Sequence, residues 1–273
     1  GYYYGAVCNY TQFAIGLGKT VLLDKNFNIT GFQKINEENI FTELHEFQYL
    51  DDDTIVQIGS KSHKYGNQNV DSGIISILNQ KNGTNFIWDS IDHVSPDSSI
   101  VPMKEWGMKS NDYFHMNAVR ILSDGNYLAS ARHTQTIMKI DKLSGEIIWH
   151  MGKGSLNNFK FINDPYNGFS HQHAPEELDN KNILIWDNGI GSIDNGSRVC
   201  EYKIDENKLT ATLVWSKEFK DLQANVAGNC YPIDDNNFIA AFGSQGYIQE
   251  FNKDGSNLLS IDPGGLIYQV MKL

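Results

Sequence analysis

The sequence predicts an all-β chain folded as a single β-propeller domain across residues 1–273. Three observations point there. A strand–turn–strand unit recurs four times, a second hairpin follows each copy, and helical periodicity is nowhere sustained. The only weak helical candidates are short stretches such as Glu37 to Leu44.

The first hairpins are apolar runs broken by Asp, Asn or Gly. Leu44 to Val56 turns at Asp51-Asp52-Asp53, and Phe114 to Ser130 turns at Ser123-Asp124-Gly125. Gln172 to Ile185 turns at Asp179-Asn180-Lys181, and Asn229 to Ala240 turns at Asp234-Asp235-Asn236. Three of the second hairpins end in Trp88, Trp149 and Trp215, at equivalent positions that read as packing between blades, and the fourth turns at Asp254-Gly255. Two hairpins make a four-stranded sheet, which is one propeller blade. The chain thus holds four complete blades. Lys19 to Asp24, Ile29 to Phe32 and a lone C-terminal strand, Leu266 to Val270, are left to close the ring, and closure removes open sheet edges. Counting leaves five or six blades open. Phe161 to Gly168 reads as an inserted loop over one face.

Bulk properties exclude several classes. A formal net charge of −11 repels nucleic-acid phosphates and anionic membrane surfaces. No apolar run is long enough to span a bilayer. A leader peptide is expected to be absent or already removed. Asn-x-Ser/Thr triplets at Asn9, Asn28, Asn82 and Asn195 favour a secreted or extracellular glycoprotein. Cys8, Cys200 and Cys230 allow one disulfide or none, and without a C-x-x-C pair a thiolate zinc site is not expected. Oligomeric state is not legible.

Blade geometry places the start of a first strand and the end of the second on one face. His45, His115 and His173 open first strands. Arg132 and Asn188 follow second strands. All five are expected at one mouth of the channel. Imidazoles, a guanidinium and an amide in an acidic protein suit a tetrahedral oxyanion, and a neutral imidazole is a competent nucleophile toward sulfur or phosphorus. His63, His93, His133 and His150 read as solvated or packing residues. Two other readings stay open on these residues: a histidine metal site for hydrolysis, and a binding or scaffold module without turnover.

Several motifs resemble the arylsulfotransferase family. They are Asp112-Tyr113-Phe114-His115-Met116-Asn117, Gly125-Asn126-Tyr127-Leu128, Ser130-Ala131-Arg132-His133-Thr134-Gln135, Phe169-Ser170-His171-Gln172-His173, Asp187-Asn188-Gly189 and Ser197-Arg198. The similarity runs from about Glu43 to about Trp215, and more faintly to the end. It implies a six-bladed propeller and a ping-pong reaction without cofactor or metal, in which an aryl sulfate gives its sulfuryl group to a histidine and a phenol collects it. By motif, His173 matches the nucleophile, His115, Arg132 and His45 the other catalytic groups, and Asn117, His171 and Asn188 fall among substrate-binding positions. The His171-Gln172-His173 triplet leaves two candidate nucleophiles, because strand alternation would put both on one side.

Overall fold

The computed structural model describes residues 3–10, 16–24, 26, 28–50, 53–83, 85–101, 111–194 and 196–271, with side chains from Thr20 onward. The chain forms two compact units, residues 1–119 and 120–273. Strands dominate both. Helix among the described residues is limited to three 3-10 turns, at Ser90–Asp92, Pro96–Ser98 and Gly243–Gln245. No helix there is long and apolar enough to cross a membrane. The all-β class expected from the sequence is therefore observed.

The first unit contains β1 (Tyr3–Tyr10), β2 (Gly16–Leu23), β3 (Ile29–Gln33), β4 (Phe41–Tyr49), β5 (Thr54–Tyr65), β6 (Gln68–Asn79), β7 (Asn85–Asp89) and β8 (Asn111–Asp112). The order β4-β5-β6-β7 is the first expected blade, antiparallel throughout. β5 and β6 are buried where they cross the core, through Ile55, Val56, Ile58, Ile74 and Ile75. The helical candidate is corrected: β4 begins at Phe41, and Glu37 to Ile40 form a bend and turn before it. Pairing overrides the local pattern here, because β4 finds a partner in β5.

β4 carries a large irregularity. Thr42 pairs with Gly59 and Phe47 pairs with Gln57, so four residues of β4 oppose one of β5. His45 lies inside this bulge. It sits within a strand rather than ahead of one, which corrects the expected position. Bulges re-aim side chains and recur beside functional sites.

β9 (Met116–Ile121) carries the chain from the first unit into the second. The second unit then contains β10 (Tyr127–Ala131), β11 (Thr136–Ile140), β12 (Ile147–Gly152), β13 (Lys160–Ile162), β14 (His173–Glu177), β15 (Ile183–Asp187), β16 (Gly196–Asp205), β17 (Thr210–Lys220), β18 (Asn229–Pro232), β19 (Asn237–Ala241), β20 (Ile248–Asn252) and β21 (Asn257–Ile261). The orders β14-β15-β16-β17 and β18-β19-β20-β21 are the third and fourth expected blades. β10-β11-β12 supplies the outer three strands of the second.

Period-two alternation along β15 explains how these sheets stack. Ile183 and Ile185 join a core with Leu128, Ile137, Trp149 and Met151. Leu184 and Trp186 point the other way, into a core with Cys230, Phe238, Phe242 and Phe251. A sheet apolar on both faces must be covered on both, and its neighbours do this. Trp149 packs edge-on against Phe159, and Trp215 stacks on Phe238 at 5.3 Å. In the first unit Trp88 stacks on His93 at 5.0 Å. The packing role expected for these tryptophans holds. Cys200 and Cys230 are buried free thiols, and the Cys8 side chain lies outside the described ones.

Two further expectations are corrected. Leu266 to Val270 is not a ladder strand. It is an extended segment held by Ile267 N–H to the Gly243 carbonyl, Gly228 N–H to the Tyr268 carbonyl, and a two-way bond between Asn229 and Val270. The exchange with a side-chain amide replaces a backbone ladder. The Phe161 to Gly168 stretch is no loose cover either. β13 pairs in parallel with β17, Phe161 sits in the core, and Asp164 is fully buried on Arg198.

Candidate functional site

In the first unit two imidazoles meet. His45 and His115 lie edge to face, with ring centroids 5.1 Å apart. Each is backed by a carboxylate. Glu43 Oε2 is 2.6 Å from His45 Nδ1. Asp112 Oδ2 is in contact with His115 Nδ1, and Asp112 Oδ1 accepts the His115 backbone N–H at 2.8 Å. That second bond closes a turn in which His115 is left-handed, with φ of 51°. Both rings are over nine-tenths buried. Burial pushes the Glu43 carboxyl up from its ordinary range, and the facing imidazole pulls it only partly back. Asn117 is fully buried on β9. His115 thus opens a first strand, as expected.

In the second unit His173 is the first residue of β14, at a register shift between His173 and Glu176, and Ala174 beside it has φ of 44°. A left-handed alanine next to a bulge departs from regular strand backbone and re-aims the side chains beside it. His173 Nδ1 lies 2.8 Å from Asn188 Oδ1 and 3.1 Å from the His171 carbonyl. Asn188 is held in turn: its Nδ2 donates to the carbonyls of Ala224 and Ala227 at 2.7 and 2.9 Å. With the amide nitrogen committed to two carbonyls, its oxygen faces the imidazole. The two oxygens facing Nδ1 are acceptors, so Nδ1 carries a proton.

His171 precedes β14 in a left-handed turn, φ 55°. The two rings are therefore not successive same-face positions of one strand, which corrects the expectation from alternation. Between them Gln172 turns inward. Its Nε2 is within 3.1 Å of Ser130 Oγ, the Ala131 carbonyl and the Thr136 carbonyl. Burial, and then the charge of Arg132, push the His171 imidazole down from 6.5 to about 4. The Arg132 guanidinium donates to the Asn225 carbonyl at 3.1 Å.

Behind this strand lies a buried ionic network. Asp187 Oδ1 accepts from the backbone N–H groups of Ser170 and Gly189 at 2.8 and 2.9 Å, and its Oδ2 takes Arg198 Nε at 2.8 Å. The other two guanidinium nitrogens grip Asp164 at 2.9 and 3.2 Å, and Nη2 also reaches the Gly168 carbonyl. Tyr202 donates to Asp164 at 2.6 Å. Burial opposes ionisation of Asp164, yet Arg198 and Tyr202 outweigh it and hold its carboxyl low. For Asp187 burial prevails and the direction is upward. The network pins both ends of the segment that carries His171, His173 and Asn188.

Of the expected site residues, the structure brings His45 to His115 in the first unit, and His173 to Asn188 and His171 to Arg132 in the second. Sequence reasoning missed Glu43, Asp112, Asp187, Gln135 and the role of Arg198. Two of these left a signal. Glu43 is two residues before His45 on a strand, and Asp112 is three before His115 at a turn. Asp187 and Gln135 lie inside the motifs, but their partners Arg198, Ser170 and His171 are distant in sequence, so no local spacing gave their roles.

The arylsulfotransferase (ASST) family model matches residues 22–266, most of the sequence. The chain belongs to the arylsulfotransferase family. Membership supports an arylsulfotransferase-like function, with small-molecule aryl sulfates and phenols as the substrates it suggests. No curated protein matches the sequence. Among solved structures, a protein of unknown function from Bacteroides caccae is similar over 73% of this chain and 58% of its own, at 13% identity and a TM-score of 0.42. A streptogramin B lyase is similar over 96% of this chain and 74% of its own, at 12% identity and a TM-score of 0.46. BamB from Moraxella catarrhalis is similar over 95% and 76%, at 10% identity and a TM-score of 0.40.

Proposed function

We propose that the protein transfers a sulfuryl group from an aryl sulfate to a phenol through a covalent bond to His173. The reading is supported above all by the contrast between the histidines. His173 is backed by a neutral amide, which favours a neutral ring with its lone pair on Nε2. His45 and His115 are backed by carboxylates, which favour proton uptake.

In the first half-reaction the Nε2 lone pair attacks sulfur. The S–O bond to the aryl group breaks with its electrons on the leaving oxygen, and His115 or His45 protonates that phenolate. In the second, the same group takes the proton from an acceptor phenol, whose oxygen attacks the sulfohistidine and restores the free ring. Arg132 and Asn117 hold sulfuryl oxygens as charge moves onto them. No adenylyl sulfate is consumed, and no cofactor or metal is assigned a part.

The same reading carries the six-bladed ring of the family and a secreted or extracellular protein. Asn82 sits exposed at a turn tip, and the Asn28 amide is engaged by the Asp24 carboxylate.

Incubation with p-nitrophenyl sulfate and a phenol tests the reaction. Nitrophenolate should appear in an acceptor-dependent manner, and peptide mapping after donor alone should find the sulfuryl group on His173. Release without any histidine adduct would overturn the covalent path.

A further inference from the structure

Ser197 belongs to a motif that the transfer reaction leaves unused, and it is fully buried near the start of β16. Its hydroxyl makes two bonds whose directions are fixed by their partners. Ser197 Oγ donates to the Asn188 carbonyl at 3.0 Å, because a carbonyl only accepts. The Ala224 backbone N–H donates to the same oxygen at 2.9 Å, because an amide N–H only donates.

These bonds close a ring. Asn188 Nδ2 donates to the Ala224 carbonyl at 2.7 Å, so Ala224 is tied to Asn188 twice: through its own carbonyl and, by way of Ser197, through its N–H. Ala224 lies in the loop between β17 and β18. Farther along that loop, the Asn225 carbonyl takes the Arg132 guanidinium at 3.1 Å, and the Ala227 carbonyl takes the second Asn188 bond at 2.9 Å. Three carbonyls of residues 224–227 thus hold both the amide that orients His173 and the guanidinium assigned to the sulfuryl oxygens. Ala227 is left-handed, with φ of 59°, so the loop leaves the extended path of the strands it joins. Ser244 grips the loop from its outer side. Its Oγ accepts the Asn225 N–H at 3.0 Å, and its own N–H donates to the Val226 carbonyl at 3.2 Å.

We propose that Ser197 is a positioning residue that sets His173 and Arg132 in register with each other through loop 224–227. Without the hydroxyl, the Asn188 carbonyl and the Ala224 N–H lose their partner in a buried place, and the loop must shift to find others. Because one loop fixes both groups, the ring and the guanidinium move together. The kinetic consequence rests on the transfer reaction proposed above. The mechanical coupling does not.

The arginines of the sequence are Arg120, Arg132 and Arg198, so spectra of protein labelled with nitrogen-15 in arginine and histidine are assigned by substitution. Ser197→Ala should move the Arg132 guanidinium signals and the His173 Nδ1 signal together. Arg120, paired with Glu176, should stay in place and so report that the fold is kept. Ser197→Thr, which keeps the hydroxyl, should restore both signals. Movement of neither, or of one alone, would overturn the coupling whether or not the protein transfers sulfuryl groups. If Ser197→Ala does not fold, Ser244→Ala reads the same loop from its solvent-exposed side and should move the same two signals; two unmoved signals there overturn the coupling equally. With p-nitrophenyl sulfate and a phenol, Ser197→Ala should lower kcat about a hundredfold, the loss that a misplacement of about 1 Å brings, with KM little changed. Shifted signals with kcat unchanged would overturn the positioning role. A wild type that moves no sulfuryl group would remove the transfer reading and leave the spectral result standing.

Discussion

His173 Nδ1 donates to Asn188 Oδ1 across 2.8 Å, and the Asn188 amide is itself anchored to two backbone carbonyls. An amide in this place orients the ring without stabilising its cation. A carboxylate there would do both. Asn188→Asp is therefore expected to raise the basicity of His173, since an opposite charge in contact shifts a titration by about 1–3 units. The acid limb of the kcat/KM profile should move to higher pH by that amount, with activity at neutral pH reduced. An unmoved limb would count against His173 as the group that must be neutral.

His173→Ala should abolish acceptor-dependent transfer while leaving the circular dichroism spectrum and denaturation midpoint close to wild type. The ring starts a strand at a bulge and is not a member of either apolar cluster of the second unit. Residual transfer at a wild-type rate would remove it from the mechanism.

Arg132→Lys should reduce kcat/KM by about a hundredfold. An ammonium is a point charge and cannot reproduce the two-pronged contact of a guanidinium with a sulfuryl group. Steady-state kinetics with p-nitrophenyl sulfate give the number, and a loss below threefold would mean that Arg132 contributes charge alone.

Arg198→Met should be among the most destabilising single changes in the second unit. It leaves Asp164 and Asp187 buried without their cation, and breaking a buried pair from one side costs about 3–5 kcal/mol. Urea denaturation measures this. The loss should be smaller when Asp164→Asn is added, because one stranded charge is then gone.

His171 gives stability a pH dependence of definite sign. Its folded value is lowered from 6.5 to about 4. Between those values the unfolded chain takes up a proton that the folded chain refuses, so this contribution is complete above 6.5 and falls as pH drops toward 4. His171→Gln removes the group, and the difference in urea midpoint between wild type and variant should shrink or reverse on going from about pH 7 to about pH 4.5.

Much of the fold was written in local pattern. The hairpins beginning near Leu44, Phe114, Gln172 and Asn229 read correctly because alternation and Asp/Asn/Gly turns are properties of neighbouring residues. The misreadings share a cause. Glu37 to Leu44 gave a weak helical pattern, yet Phe41 onward is a strand because β5 lies beside it. Leu266 to Val270 is apolar enough for a strand, yet it is held through the Asn229 side chain. Phe161 to Gly168 looked like a surface insertion, yet Asp164 is the buried partner of Arg198.

The sequence by itself determined the strand class, the hairpin repeat and two of the three histidines expected to open blades, His115 and His173, since each depends on residues close together in the chain. Only the tertiary structure decided how those histidines are protonated. The tautomer of an imidazole is set by whichever group faces its other nitrogen. For His173 that group is Asn188, fifteen positions away. No local pattern carries information across such distances; the folded sheets bring those atoms together.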